Sequence, residues 1–391
     1  DATNFFTFID SFNDGCTVAQ RGKSKQGRAS LRIVGLALLV TADHHVPLLH
    51  DTYPGNQSDA PTFAGLSERI ASRCRSLTQG VEHVTLVFDK GNNSQGNLDA
   101  VEAAPFHFVG SLVATQHSEL LDIERSDMRP LDDEGLPGVM SWRTTKKVFG
   151  YDRTVLVTYN DNLFVAQART LLREISKRQR KFQELQAKLD KYRAGGRRGR
   201  RPTVASVRKK VSGWLAARHM KDLFEVEISE HDGLPRLSYR FAEEAWGDLQ
   251  KTLLGKTILF TDNNHWSDAE IIRAYRSQHE IEAGFRDMKD PHHIALRPQH
   301  HWTDQKIRVH VFMCVVALML LSLLRRELVT HGIHCSIRRM ISLLAGIKEI
   351  VMAFPPAKRA PEPVLRTSLC SMSDEQRQIY EALELHRYVS S

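Results

Sequence analysis

Little in this 391-residue chain is arranged for thiol chemistry. Its five cysteines (Cys16, Cys74, Cys314, Cys335, Cys370) are an odd number at scattered spacings, with no Cys-x-x-Cys pair, which supports neither a zinc ribbon nor a disulfide framework. Free thiols in a reducing compartment are the expectation. Long hydrophobic runs are also missing. The most apolar stretch, Val311 to Leu324 between Arg308 and Arg325, has 14 residues. A membrane span needs about 20, so this segment is expected to be a buried helix and no membrane partner is expected. A Gly-rich phosphate loop is absent, which argues against a nucleotide cofactor. No signal peptide opens the chain, which starts at Asp1 in a strand-like segment, and no internal repeat occurs. What remains, 41% hydrophobic and 26% charged, is the composition of a folded domain and excludes disordered and fibrous classes.

The pattern up to about Thr115 is that of a mixed α/β layer. Asn4–Ile9 is β-prone, Leu31–Val40 is a long apolar strand, Asp43-His44-His45 is a turn, and Val46–His50 returns as a third strand that Pro54-Gly55-Asn56 ends. Pro61–Leu77 reads as an amphipathic helix. Val84–Phe88 has the continuous apolar character of a strand buried on both faces, and Phe106–Leu112 is a fifth strand. Further on, the spacing predicts helices over Ala166–Tyr192 and Thr203–Met220, a hairpin turning at His231-Asp232-Gly233, and a strand at Thr257–Thr261. A helix capped by Ser267 is expected to run to about Met288, with apolar helices over His310–Leu328 and Ile337–Ala353. The stretch from Pro355 through Pro363 looks loosely held.

Charge is distributed unevenly. Fifty-four Lys and Arg against forty-six Asp and Glu give +8 overall. Between Arg173 and Lys210, fifteen basic and three acidic residues give +12 in 38 positions, so the rest of the chain is net negative. Solvated helices are often basic, but the density around Arg197, Arg198, Arg200 and Arg201 points to contact with nucleic acid.

Three acids stand out for chemistry. In the helix begun at Ser267, at 100° per residue with Tyr275 at zero, Gln278 falls near −60°, Glu282 near −20° and Lys289 near −40°, one polar stripe beside the apolar face of Ile281, Phe285 and Met288. Asp89 directly follows a buried strand, where α/β folds place their sites, although Asp-Lys-Gly-Asn is equally good turn chemistry. Asp1 taken alone is only a terminal residue. The paired histidines His292-His293 and His300-His301, with His310, match no zinc spacing and read as solvated or core groups. Trp214, Trp246 and Trp266 could stack on an unpaired base, but such residues more often pack.

Taken together, these residues resemble a known pattern. Asp1-Ala2-Thr3-Asn4-Phe5-Phe6, Gly22–Arg28, Pro47 and Pro54–Asp59, then Leu86-Val87-Phe88-Asp89-Lys90-Gly91, are similar to DDE transposases of bacterial insertion sequences, in particular the insertion-sequence-four superfamily and a branch with a long core insertion. Tyr275–Glu282 continuing to Phe285–Lys289 resembles its Tyr-x2-Arg-x3-Glu-x6-Lys signature. Leu296-Arg297-Pro298 and Ile307–Phe312 match in character.

The resemblance implies an RNase H-like mixed sheet flanked by helices, interrupted by an inserted α+β domain that carries the basic hairpin. Its expected pieces are 1–118 and 263–330 as catalytic core, 119–262 as insertion, and 331–391 as a C-terminal helical region. Asp1 and Asp89 would lie on neighbouring strands, with Glu282 on a helix beside them. These three acids would hold two Mg²⁺ (or Mn²⁺) ions. Tyr275, Gln278, Arg286 and Lys289, with Arg197, Arg198, Arg200 and Arg201, would touch DNA. The implied activity is cleavage of element ends and transfer to target DNA, by a homodimer, in the cytoplasm on the nucleoid. Gln278 stands where the signature has Arg, and His279 where an aromatic usually follows. An RNase H-like nuclease without strand transfer and an inactive DNA-binding relic are the alternatives.

Overall fold

The computed structural model describes residues 1–10, 12–23, 30–57, 59–77, 84–196, 201–355 and 364–389. It divides into two compact units, Asp1–Val109 with Arg273–Ser391, and Gly110–Ile272.

The first unit opens with β1 (Ala2–Thr7), β2 (Arg32–Val40) and β3 (Pro47–Pro54), an antiparallel sheet in the order β1-β2-β3. Ala2 faces Ala37 and Thr7 faces Arg32, and Val34 faces Pro54 across the other ladder. β2 is apolar along its length because both its faces are covered: Ile33, Val34, Leu36 and Leu38 are all buried. Gly55 follows β3 where the chain passes under β2, and a Cβ there would collide with the Ile33 carbonyl. Next come α1 (Asp59–Leu77), β4 (Thr85–Val87), α2 (Gln95–Glu102) and β5 (His107–Ser111), with β4 and β5 parallel.

The chain then builds the second unit from α3 (Ser118–Leu121), β6 (Arg129–Pro130), β7 (Val139–Val148), β8 (Tyr151–Asn160), α4 (Asp161–Arg193), α5 (Val204–Leu215), α6 (Met220–Leu223), β9 (Phe224–His231), β10 (Leu234–Phe241), α7 (Glu243–Thr252) and β11 (Lys256–Thr261). β11, β8, β7 and β6 pair antiparallel in that order. A separate core joins α4 and α5 to the β9–β10 hairpin: Ile175, Phe182, Leu185, Leu189, Val207 and Val211 pack with Phe224 and Leu237. Each such side chain contributes about 1.5–3 kcal/mol when fully buried. The hairpin turns through Asp232 and Gly233, both at positive φ, as its sequence requires. Trp214 and Trp246 pack against this core.

α8 (Asp268–Arg276) leads back into the first unit, which closes with α9 (Gln278–Lys289), α10 (Asp304–Thr330), α11 (Ile337–Ala345), β12 (Glu349–Phe354), β13 (Val364–Leu369) and α12 (Asp374–Ala382). Ile281, Phe285 and Met288 of α9 share one core with Phe5, Val34, Leu36 and Leu38, and with Ile307, Val311, Cys314 and Leu318 of α10.

Several expectations need correction. The helix from Ser267 is interrupted at Ser277, whose hydroxyl bonds the Ala274 carbonyl (2.7 Å) between α8 and α9. The helix expected over Ile337–Ala353 stops at Ala345, Gly346 caps it, and the β-branched Ile350 and Val351 lie instead in β12. Val311–Leu324 is part of a 27-residue helix, long and apolar enough by composition to cross a membrane, and it is not wholly buried. Ile307, Val311, Cys314 and Leu318 face the core, whereas Phe312, Met313, Leu320 and Leu323 are exposed on its other side. β1 and β4, expected side by side, belong to different described sheets. The outer edge of β1 is occupied at its far end by Gln299, which bridges Thr7 in parallel and accepts from Phe8 N (2.9 Å).

Candidate active site

Each of the three acids is set by its own element. Asp1 extends β1: its backbone N donates to Leu38 O (3.0 Å), and Leu38 N donates to Asp1 O (2.9 Å). Its Oδ1 accepts from Ala2 N (2.6 Å). Asp89 follows Phe88, which is buried, prolongs the β4–β5 pairing through Val109 O (3.2 Å) and stacks on Phe108. The exposed Asp89 carboxylate caps the short turn Lys90–Asn92 by accepting from Lys90 N (2.7 Å). The turn and the site readings of Asp89 are thus compatible. Glu282 is exposed at the margin of the buried α9 face, as its angle predicts.

One cavity in the first unit, of about 320 Å³, is lined by all three, Asp1, Asp89 and Glu282, together with Gln278. The ends of β1 and β2, the residues of β4, and Ile70 and Cys74 of α1 form its other walls. Burial pushes the Cys74 thiol above its ordinary pKa, against the opposing effect of Arg73. Gln278 Nε2 is buried and has no hydrogen-bond partner. A buried, unanswered N–H donor is costly, and this one belongs to a residue that lines the cavity. Among the described residues, no three His, Cys, Asp or Glu side chains converge closely enough to ligate one ion. All three groups on the cavity are carboxylates, the ligand type that hard divalent cations prefer.

The remaining candidates are placed differently. Tyr275, Arg286 and Lys289 do not line this cavity. Lys289 Nζ donates to Thr3 Oγ1 (2.5 Å), tying the end of α9 to β1 two residues from Asp1. Arg201 donates to Gly233 O (2.8 Å) at the β9–β10 turn. Arg197, Arg198 and Arg200 lie outside the described residues. His310, its pKa lowered by burial and then by His301, packs edge-on to His301 and near Cys314 Sγ. All five cysteines are free thiols.

The basic arm has two kinds of cation. Arg178 is buried, with its guanidinium on Trp214 O (3.1 Å) and Glu174, so it serves the core. Arg169, Arg173, Lys177 and Arg180 are exposed and line a groove of about 650 Å³ on α4, with Val165 and Leu172. At 100° per residue they fall within about 80° of arc. A charge count over the arm hides this stripe; the spacing i, i+4, i+8, i+11 reveals it.

A sequence model of the family described as "Transposase DDE domain" matches residues 6–320. The chain belongs to the transposase DDE-domain family. No curated protein matches it. The match includes Asp89, Gln278 and Glu282 and all of the second unit. As a transposase domain the chain is an enzyme that acts on DNA, and DNA is its partner.

Proposed function

We propose that the chain is the catalytic region of a transposase of the insertion-sequence-four kind, with Asp1, Asp89 and Glu282 as its acidic triad. The supporting observation is that acids from positions 1, 89 and 282 line a single cavity, with an unpartnered amide donor on Gln278. These carboxylates would hold two Mg²⁺ or Mn²⁺ ions. When bound, such a pair activates water or a 3′-hydroxyl and stabilises the leaving oxygen of an in-line displacement.

The chain's own residues bind and orient. Gln278 offers an N–H to a phosphate oxygen, without the charge or the two-pronged grip of an arginine. Tyr275 of α8, with Arg286 and Lys289 of α9, would meet the DNA end. The α4 stripe, with Arg197, Arg198, Arg200 and Arg201, engages backbone phosphates, a contact that depends on charge and not on base sequence. In this reading the first unit is an RNase H-like core, the second its inserted domain, and a homodimer on the nucleoid acts on paired element ends and target DNA.

Gln278 in the arginine position favours one second reading, a relic that binds DNA and no longer cuts it. A single assay separates the readings: nicking of element-end DNA in Mg²⁺ or Mn²⁺, followed by joining of pre-cleaved ends. The triad reading expects nicking and joining by the parent and a loss of about 10³-fold with Glu282→Ala. A nuclease would nick without joining. Equal nicking by parent and variant would remove the catalytic claim.

A further inference from the structure

The turn between β2 and β3 holds a side chain that the triad reading does not use. His44 and His45 follow one another at φ 55° and 44°, a left-handed conformation that residues with a Cβ avoid. The surrounding bonds enforce it: Thr41 N donates to Val46 O (3.0 Å), and Val46 N donates to Thr41 Oγ1 (3.0 Å). Strain of this kind persists where the rest of the fold over-determines it, and it clusters at functional sites.

The conformation delivers the His45 imidazole, fully buried, onto α9. Its Nδ1 hydrogen-bonds Glu280 Oε2 at 2.9 Å, whereas its Nε2 stands 3.5 Å from Asp287 Oδ2 without a hydrogen bond. The two carboxylates are seven residues apart, two turns along one helix face. Gly284 lies between them, against the ring; a Cβ there would meet His45 Cβ and Cδ2 at 3.7 Å, an ordinary contact distance. The imidazole thus bonds α9 at Glu280 and packs beside it at Asp287. Glu282 follows Glu280 by two residues and so projects from the opposite side of the helix. Thr41 and Ala42, at the start of the same turn, line the cavity with Glu282.

We propose that His45 is a positioning residue: by bonding Glu280 and packing its ring beside Asp287 it fixes the rotation of α9 and therefore where the Glu282 carboxylate stands in the cavity. This rests on the reading of Glu282 as a triad member. A histidine that merely fills space would not need its ring flanked by carboxylates two turns apart, nor two successive left-handed residues to bring it there.

The test is Mn²⁺ binding followed by electron paramagnetic resonance, with circular dichroism and metal-free DNA binding as controls for the fold. His45→Ala is expected to weaken Mn²⁺ binding about tenfold, the usual effect of losing a group that orients a ligand. Should His45→Ala fail to fold, Glu280→Ala removes the same grip from the helix edge and is expected to act alike. Glu280→Gln, which keeps an acceptor for Nδ1–H, should restore binding. The decisive comparison is the double variant His45→Ala/Glu282→Ala. If His45 acts through Glu282, the double variant binds Mn²⁺ no worse than Glu282→Ala alone. Additive losses, or parental affinity in both His45→Ala and Glu280→Ala, would overturn the proposal and leave the triad standing. Parental affinity in Glu282→Ala would remove the triad and this inference with it.

Discussion

The cavity of the first unit and the exposed face of α4 in the second assemble charge in opposite ways. The cavity takes its acids from residues 1, 89 and 282, each set by a different element and brought together only by tertiary packing. The α4 stripe takes its cations from twelve consecutive positions of one helix, 169–180, and needs only that helix to be straight. Few long-range placements produce the first, and many local sequences produce the second. The cavity suits an operation that depends on a fixed arrangement of groups; the stripe suits one that depends on charge density. Perturbing packing should therefore be harsher than perturbing individual charges.

The largest expected effect comes from breaking the packing beneath the stripe. Phe182 is fully buried and meets Trp214, Phe224 and Tyr239 at ring separations of 5.7, 5.3 and 4.8 Å. Phe182→Ala should destabilise the α4–α5 hairpin core by about 3–5 kcal/mol. Urea unfolding followed by tryptophan fluorescence, in a background where Trp214 is the sole tryptophan, measures it. A loss under about 1 kcal/mol would show that α4 stands without this core.

A smaller effect sharpens the other half. Replacing Arg169, Arg173, Lys177 and Arg180 together by Gln should leave the fold intact and weaken DNA binding at moderate salt. For every phosphate that the variant no longer neutralises, the dependence of log K on log salt should flatten by about 0.9. The slope, measured by fluorescence anisotropy on duplexes of unrelated sequence, should fall by about 3–4 if all four cations touch phosphate. An unchanged slope would place the DNA elsewhere.

The same contrast governs what can be read from the chain. Local signals carry β2, the α4 helix and the Asp232-Gly233 hairpin, because apolar periodicity and turn chemistry act over a few residues. β7 and β8 escape such a reading: β7 carries Arg143, Thr145 and Lys147 on its exposed side, and its turn places the bulky Phe149 at positive φ ahead of Gly150. β12 reads as the end of a helix because Ile350, Val351 and Met352 fit either period. The proposed triad of Asp1, Asp89 and Glu282 rests on motif resemblance, but the cavity that these residues share is a long-range product. His45 is readable as a turn residue; its two carboxylate neighbours lie about 240 positions later and emerge only from the fold.

The smallest effect tests whether long-range polar contacts also hold the first unit together. Asp304, in the first turn of α10, accepts from Cys16 Sγ (3.1 Å), Thr17 N (2.9 Å), Thr17 Oγ1 (2.5 Å) and Val18 N (3.0 Å), residues nearly three hundred positions earlier. Burial alone would push its carboxyl up, but the bonds from Thr17, Val18 and Cys16 outweigh it and hold the pKa below the ordinary value of 3.8. A carboxylate depressed in the folded state adds stability that is fully present above the unfolded pKa and is lost as pH falls through the folded one. Asp304→Asn should therefore cost about 2 kcal/mol at neutral pH, the range for hydrogen bonds to a charged group. The gap between parent and variant, from denaturant unfolding, should stay constant from neutral pH down to about 5 and narrow toward pH 3. A gap that persists undiminished at pH 3 would mean that the charge on Asp304 contributes nothing, and that shape alone joins the Cys16–Val18 segment to α10.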